Sequence, residues 1–298
     1  MKKMLLISTF ISLMVLNGCS AGQKETKQVE KVAEVKKVEV VQVDKKQIAK
    51  KAIREIKKGA FDQAKLYLEQ GADVNVEARG ETMLSVSMVS GNLEIIKLVL
   101  EKNPNLDFED EKGNTYLMMA KNAEIAKILI EAGADVDKPN SKGKKMILDV
   151  VKSDNSDVLK VLVDGGANLE IKNVRGNTPL LMAVMENKIE NTKILIEAGA
   201  KLDIKNTSGD TALMKAVNKD IMILLVEAGA KLDIKNDAGL NVGEETMMLA
   251  IFKGYTDVVE AMINKGMAVD FTDSYGDTPL ALAQSRGHQD IIDLINVK

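Results

Sequence analysis

From Gln47 to the end of the chain, apolar residues fall in short runs at helical spacing, punctuated by single glycines. In the first run Ile48, Ala52 and Ile56 share one side of a helix, while Lys50, Lys51, Arg54, Lys57 and Lys58 take the solvent side. Glycines at 80, 113, 143, 176, 209, 243 and 276 then follow at intervals of 33, 30, 33, 33, 34 and 33 residues, each opening an apolar, helix-forming run. A second run recurs later in each interval, as in Ile128-Leu129-Ile130-Glu131-Ala132-Gly133-Ala134, Ile194-Leu195-Ile196-Glu197-Ala198-Gly199-Ala200 and Leu224-Leu225-Val226-Glu227-Ala228-Gly229-Ala230. Two helices per interval, about eight times over, predict a stack of repeats.

The recurring residues have physical tasks. Thr178 and Thr278 can cap a helix N-terminus, and the proline after each stands at the first helical position, where no amide hydrogen is needed. Gly199 and its equivalents can take the left-handed conformation that ends a helix. Ala183, Ala216, Ala250 and Ala283, seven positions after the marker glycine, leave room for helices to approach. Asp110, Asn140, Asn173, Asn206 and Asp273, three before it, can hold a turn through their side chains.

With these tasks assigned, Gly176-Asn177-Thr178-Pro179-Leu180-Leu181-Met182-Ala183 and Gly276-Asp277-Thr278-Pro279-Leu280-Ala281-Leu282-Ala283 resemble the ankyrin repeat. The resemblance runs from Gln47 to the C-terminus. It implies an all-α ankyrin-repeat solenoid of about eight helix-turn-helix repeats with short β-hairpin finger loops, at approximately 47–76, 77–109, 110–139, 140–172, 173–205, 206–236, 237–272 and 273–298. The family's histidine is replaced by Ser85, Met118, Leu148, Leu181, Met214, Met248 and Ala281, which exchanges a hydrogen-bonded ladder for apolar contact. The many methionines suit an adaptable core or, alternatively, a Met-rich binding groove. Two copies are short: Gly113 to Gly133 and Gly209 to Gly229 each span 20 residues, which predicts loss of the turn joining their helices. Four extra residues around Gly239-Leu240-Asn241-Val242 predict a longer finger in the next copy.

The N-terminal end has another pattern. Lys2 and Lys3 precede an apolar run from Met4 to Leu16, too short to span a bilayer and followed by Leu16-Asn17-Gly18-Cys19. This segment resembles a bacterial lipobox, departing from it at Asn17, and implies a signal peptide over 1–18 and a lipidated Cys19 carrying a diacylglyceryl thioether. The simpler alternative is a secretory signal with a chance cysteine. Residues 19–46, rich in Lys, Glu, Gln and Val, read as a flexible tether with a reach on the order of 30 Å. Its valines at 29, 32, 35 and 38 are also compatible with a transient helix or a partner strand. The expected location is therefore the periplasmic or surface side of a bacterial cell membrane or outer membrane.

Composition narrows the function. The whole chain carries a net charge of −3, with 3% aromatic residues and one cysteine. Nucleic-acid binding is disfavoured, since the net charge repels phosphate and little is available to stack on bases, and a single cysteine allows no internal disulfide. The single histidine, His288, stands where the family pattern places one at a turn. No Cys/His pair, catalytic triad, metal spacing or phosphate loop emerges, so neither catalytic residues nor cofactor, metal ion or small-molecule substrate is expected.

The resemblance implies partner binding at the finger tips and the exposed end of each first helix. Just before the marker glycines stand Arg79, Lys112, Lys142 and Arg175, then Ser208, Val242 and Tyr275. Four basic tips in a row suit an acidic strip on a partner, or form a solvated edge, with Asp110 and Glu111 partly neutralising Lys112. Towards the C-terminus Met185, Phe252 and Tyr275, joined by Lys253 and Arg286, offer apolar and aromatic anchors. The resulting expectation is a membrane-anchored scaffold or inhibitor that binds a protein. The alternatives are an immunity or stress-protection protein that neutralises a toxin or assists an envelope enzyme and, more distantly, a hydrolase using His288.

Overall fold

The structure, a computed structural model, describes residues 44–273 and 275–297. The leader, Cys19 and most of the expected tether lie outside the described residues. Among the described residues fifteen helices follow in order: α1 (Lys45–Lys58), α2 (Phe61–Glu69), α3 (Met83–Ser90), α4 (Leu93–Leu100), α5 (Ala123–Glu131), α6 (Met146–Val150), α7 (Ser156–Asp164), α8 (Pro179–Met185), α9 (Ile189–Glu197), α10 (Ala212–Lys215), α11 (Lys219–Glu227), α12 (Val242–Lys253), α13 (Thr256–Asn264), α14 (Pro279–Arg286) and α15 (Gln289–Asn296). They form eight units, the third of which has a single turn at Tyr116–Met119 in place of its first helix.

Two rows result. Second helices pack neighbour to neighbour from α2 through α4, α5, α7, α9, α11 and α13 to α15. First helices pack as α1 on α3 and, beyond the third unit, from α6 through α8, α10 and α12 to α14. The local signals act as the residue types suggest. The Thr82, Thr178 and Thr278 hydroxyls accept the backbone N–H of Ser85, Leu181 and Ala281, and Pro179 and Pro279 open α8 and α14. Ala183, Ala216, Ala250 and Ala283 are buried between helices. Most methionines among the described residues belong to the core, including Met83, Met88, Met222, Met247 and Met262, while Met185 remains exposed.

Between units the chain folds back as a finger. The side-chain Oδ1 of Asp110, Asn140, Asn173, Asn206 and Asp273 each accepts two backbone N–H groups of its own turn, two and four residues on. Asn236 does the same for Ala238 and Leu240. Isolated β-bridges close three fingers, Ala78 to Glu81, Glu109 to Thr115 and Lys235 to Asn241, and no longer strand forms among the described residues.

The Asn236 turn corrects the expected register of the seventh unit. Its turn glycine is Gly239, at φ +81°, and not Gly243. Val242 is consequently no finger tip: it is fully buried in the first turn of α12, and Ala238 takes the tip position. The four extra residues lengthen the helix instead of the finger, so α12 has 12 residues where α3 and α14 have 8. Four residues add about one turn, which keeps the buried face in phase. The added turn seats against the preceding strand-like segment, with Val242 N–H donating to Ile234 O at 2.8 Å and Gly243 N–H to Leu232 O at 2.9 Å.

The short copies also lose more than a joining turn. In the sixth unit α10 is cut to four residues, Ala216 turns extended, and Asn218 caps α11 directly through the N–H groups of Asp220 and Ile221. In the third, Asn122 caps α5 in the same way. The single turn there is held by Tyr116, whose hydroxyl is hydrogen-bonded to Thr82 Oγ1 at 2.5 Å and whose ring stacks on Phe108 at 5.0 Å.

Two predictions follow from these irregularities. A Cβ on Gly243 would lie 2.5 Å from Leu232 O and 2.8 Å from Met267 S, so Gly243→Ala should cost about 1–3 kcal/mol, read as a lower midpoint in thermal or urea unfolding. Burial pushes the Tyr116 phenol up to about 12, the Glu77 charge adding to the effect and the Thr82 hydroxyl opposing it. Because the folded value exceeds the ordinary 10.0, this contribution is complete below pH 10 and is lost as pH rises from 10 towards 12. Comparing the alkaline unfolding of the native chain with that of Tyr116→Phe should show a shallower decline in the variant, by on the order of 2 kcal/mol.

Candidate protein-binding groove

The four basic tip residues are all exposed, but their settings differ. Arg79 and Gly80 both have positive φ, at +58° and +72°, and Ala78 and Glu81 exchange backbone hydrogen bonds across them. This is a two-residue hairpin of the type that favours Asn-Gly; an arginine in its first position is held against its backbone preference. Lys112 follows Asp110, whose carboxyl burial pushes up but which bonds from the backbone and side chain of Asn114 and from the Lys112 N–H hold below its usual value. The Lys142 ammonium reaches across to the Lys112 carbonyl, and the Arg175 carbonyl accepts both the N–H and the hydroxyl of Thr207. Neighbouring fingers are thus tied to one another by the tip residues themselves.

Between the fingers that open the second and third units lies a groove of about 420 Å³. Arg79, Glu81 and Lys112 line its finger side, Val86 and Val89 of α3 its helix side, and Phe108 and Met119 its floor. Lys57 closes one end, with its ammonium 2.9 and 2.8 Å from the two oxygens of Glu81. Finger tips and first-helix ends therefore form a single surface here. The basic strip is mixed in sign at this end, because Glu81 and Glu111 stand beside Arg79 and Lys112.

The apolar anchors sit further along. Val89, Met185 and Phe252 occupy the same place in their units, two residues before the left-handed residue that ends the first helix (Gly91, Asn187 and Gly254). All three are exposed, at 65%, 47% and 45%, and Val217 of the short sixth unit is 61% exposed between the last two. The Arg286 guanidinium lies 3.7 Å from the centre of the Phe252 ring, so a cation and an aromatic face are offered together, with exposed Lys253 alongside. Tyr275 stands apart on the last finger, 89% exposed. Sequence reasoning did not reach Val89 and Val217; the position two before the left-handed residue carries that signal once the helix ends are known.

His288 is placed quite differently. Its imidazole packs on Gly254, where a Cβ would lie 2.9 Å from Cε1, and its Nε2 is buried without a hydrogen-bond partner. It occupies the joint between the last two units. Among the described residues, no group of three or more His, Cys, Asp or Glu side chains is placed to hold a metal ion. No helix among them is long and apolar enough to cross a membrane.

Comparison with known proteins agrees with this architecture. The family model described as ankyrin repeats (3 copies) matches residues 52–140, 147–236 and 232–296. Among solved structures, the chain is similar to the ankyrin repeat domain of Bcl-3, described as a unique member of the IkappaB protein family. The TM-score is 0.58 and the identity 25%, over 74% of this chain and 100% of that one. No curated protein sequence matches significantly. Capped helix pairs, Asx-held fingers and a family match spanning most of its length lead to one conclusion: the chain belongs to the ankyrin repeat family.

Proposed function

We propose that this protein is a membrane-anchored scaffold or inhibitor of the bacterial envelope that captures a protein along the groove between its fingers and first-helix ends. An ankyrin-repeat stack is a protein-binding scaffold, and the chain as a whole reads as one. The observation that favours this groove is the row of exposed apolar side chains at equivalent positions, Val89, Met185 and Phe252, with Arg286 over the Phe252 ring. Exposed aromatic and methionine side chains beside arginine are typical anchors of protein interfaces, and solubility alone would favour polar residues there. The leader and Cys19 support an exported, lipid-anchored chain, and partners would be met at the membrane surface.

Affinity purification of the full chain from detergent-solubilised membranes should retain a protein partner. Phe252→Ala together with Met185→Ala should weaken that capture by about tenfold or more, at unchanged unfolding midpoint. Reversing Arg79, Lys112, Lys142 and Arg175 to Glu should lower it further if the partner's facing strip is acidic; capture unaffected by both sets would remove the groove from the proposal. Arg79→Asn separates the two roles of the finger that opens the second unit. It should stabilise the stack by roughly 0.5–1 kcal/mol, because asparagine tolerates the left-handed backbone that arginine resists, while reducing capture.

A further inference from the structure

The first helix carries a charge pattern that folding does not explain. Six basic residues of α1, Lys46, Lys50, Lys51, Arg54, Lys57 and Lys58, fall within an arc of roughly 140° at 3.6 residues per turn. All six are exposed, opposite the buried Ile48, Ala49, Ala52, Ile53 and Ile56. Glu55 pairs with Lys58, and Glu81 of the next unit pairs with Lys57. Lys50, Lys51 and Arg54 form no ion pair among the described residues. A helix dipole favours Lys57 and Lys58 in the last turn of α1. The full chain is net acidic, so the local excess is set against the overall charge.

We propose that this basic face of α1 is a docking surface for the anionic headgroups of a phospholipid bilayer. Clusters of four to eight Lys and Arg beside a membrane attachment point attract anionic lipid by about 1 kcal/mol for each residue near the surface. The helix has the right place for it: α1 opens the first unit of the stack and is the described helix nearest to Cys19 along the chain. With Cys19 anchored, 25 residues, Ser20 to Asp44, separate the anchor from α1, fewer than separate it from any other unit, so the first unit has the shortest chain path to the lipid. The choice of lipid over an acidic protein rests on the lipid-anchor reading; the charge pattern does not.

The test uses the full chain and flotation with two vesicle types, pure phosphatidylcholine and phosphatidylcholine mixed with phosphatidylglycerol. Binding to neutral vesicles measures what the apolar leader and the lipid on Cys19 contribute; Lys2, Lys3 and the lysines between Cys19 and α1 share in the increment on anionic vesicles, so the part of it lost on charge reversal is that of α1. That increment should fall by about a hundredfold in affinity in the triple variant Lys50→Glu, Lys51→Glu and Arg54→Glu, and should shrink as salt is raised. The Cys19→Ser variant should lose the anchor and its lipid mass while keeping the anionic increment. An equal increment in the native chain and the charge-reversed chain overturns the proposal whatever Cys19 does. Displacement from anionic vesicles by an equal charge concentration of soluble polyglutamate also overturns it, in favour of an acidic-protein site. Because the three residues are exposed, an unchanged circular-dichroism melt would show that the variant is folded; if it is not, Lys50→Gln with Arg54→Gln gives the same comparison with a smaller effect.

Discussion

Everything in this molecule depends on the burial that one unit obtains from the next. Two short helices and a finger cannot cover their own apolar side, so each unit is finished by its neighbour. One position along the second helices makes the point. Ile96, Ala126, Leu159, Thr192, Met222 and Val259 occupy it in successive units and are fully buried, whereas Ile292 of the last unit is only half-buried. Stacking, and not the intrinsic stability of any one helix, decides which side chains become core.

The same dependence explains how the stack tolerates irregular units. Where α6 ends early, the carbonyls of Val151 and Ser153 are left open, and Asn191 of the next unit donates its amide to both. Asn191 stands where other units carry Ile95, Ile125, Val158, Ile221 or Val258; a polar side chain is tolerated in the core because its neighbour supplies the acceptors. The long α12 is accommodated by a residue without a side chain, Gly243, at the point of contact with Leu232. Each departure in one unit is answered by a specific residue in the unit beside it.

For function, the consequence is that positions repeated along the chain become positions aligned in space. Fingers tied by Lys142 to the Lys112 carbonyl, and by Thr207 to the Arg175 carbonyl, hold the tips in order. First-helix ends repeat beside them, and where those ends are apolar the surface gains anchors without any unit being specialised by itself. The basic face of α1 lies outside this periodic pattern, which is why it calls for a separate explanation.

Much of this was legible in the residues. Helix pairs, caps, small contact alanines and turn-holding Asp and Asn side chains are read from spacing because they depend on neighbours a few residues away, and the exposed set of Met185, Phe252, Lys253, Tyr275 and Arg286 follows from the same count. Spacing could not choose between Gly239 and Gly243, four residues apart and each able to head the seventh unit. That choice belongs to contacts made across units: Asn236 closes its turn around Gly239, while Val242 and Gly243 bond to Ile234 and Leu232. The sequence by itself determined the period, the elements and the buried faces, since these are local. Only the tertiary structure decided where inserted and missing residues fall and which charges meet, because the register depends on partners in a neighbouring segment, as where the N–H groups of Val242 and Gly243 find the carbonyls of Ile234 and Leu232.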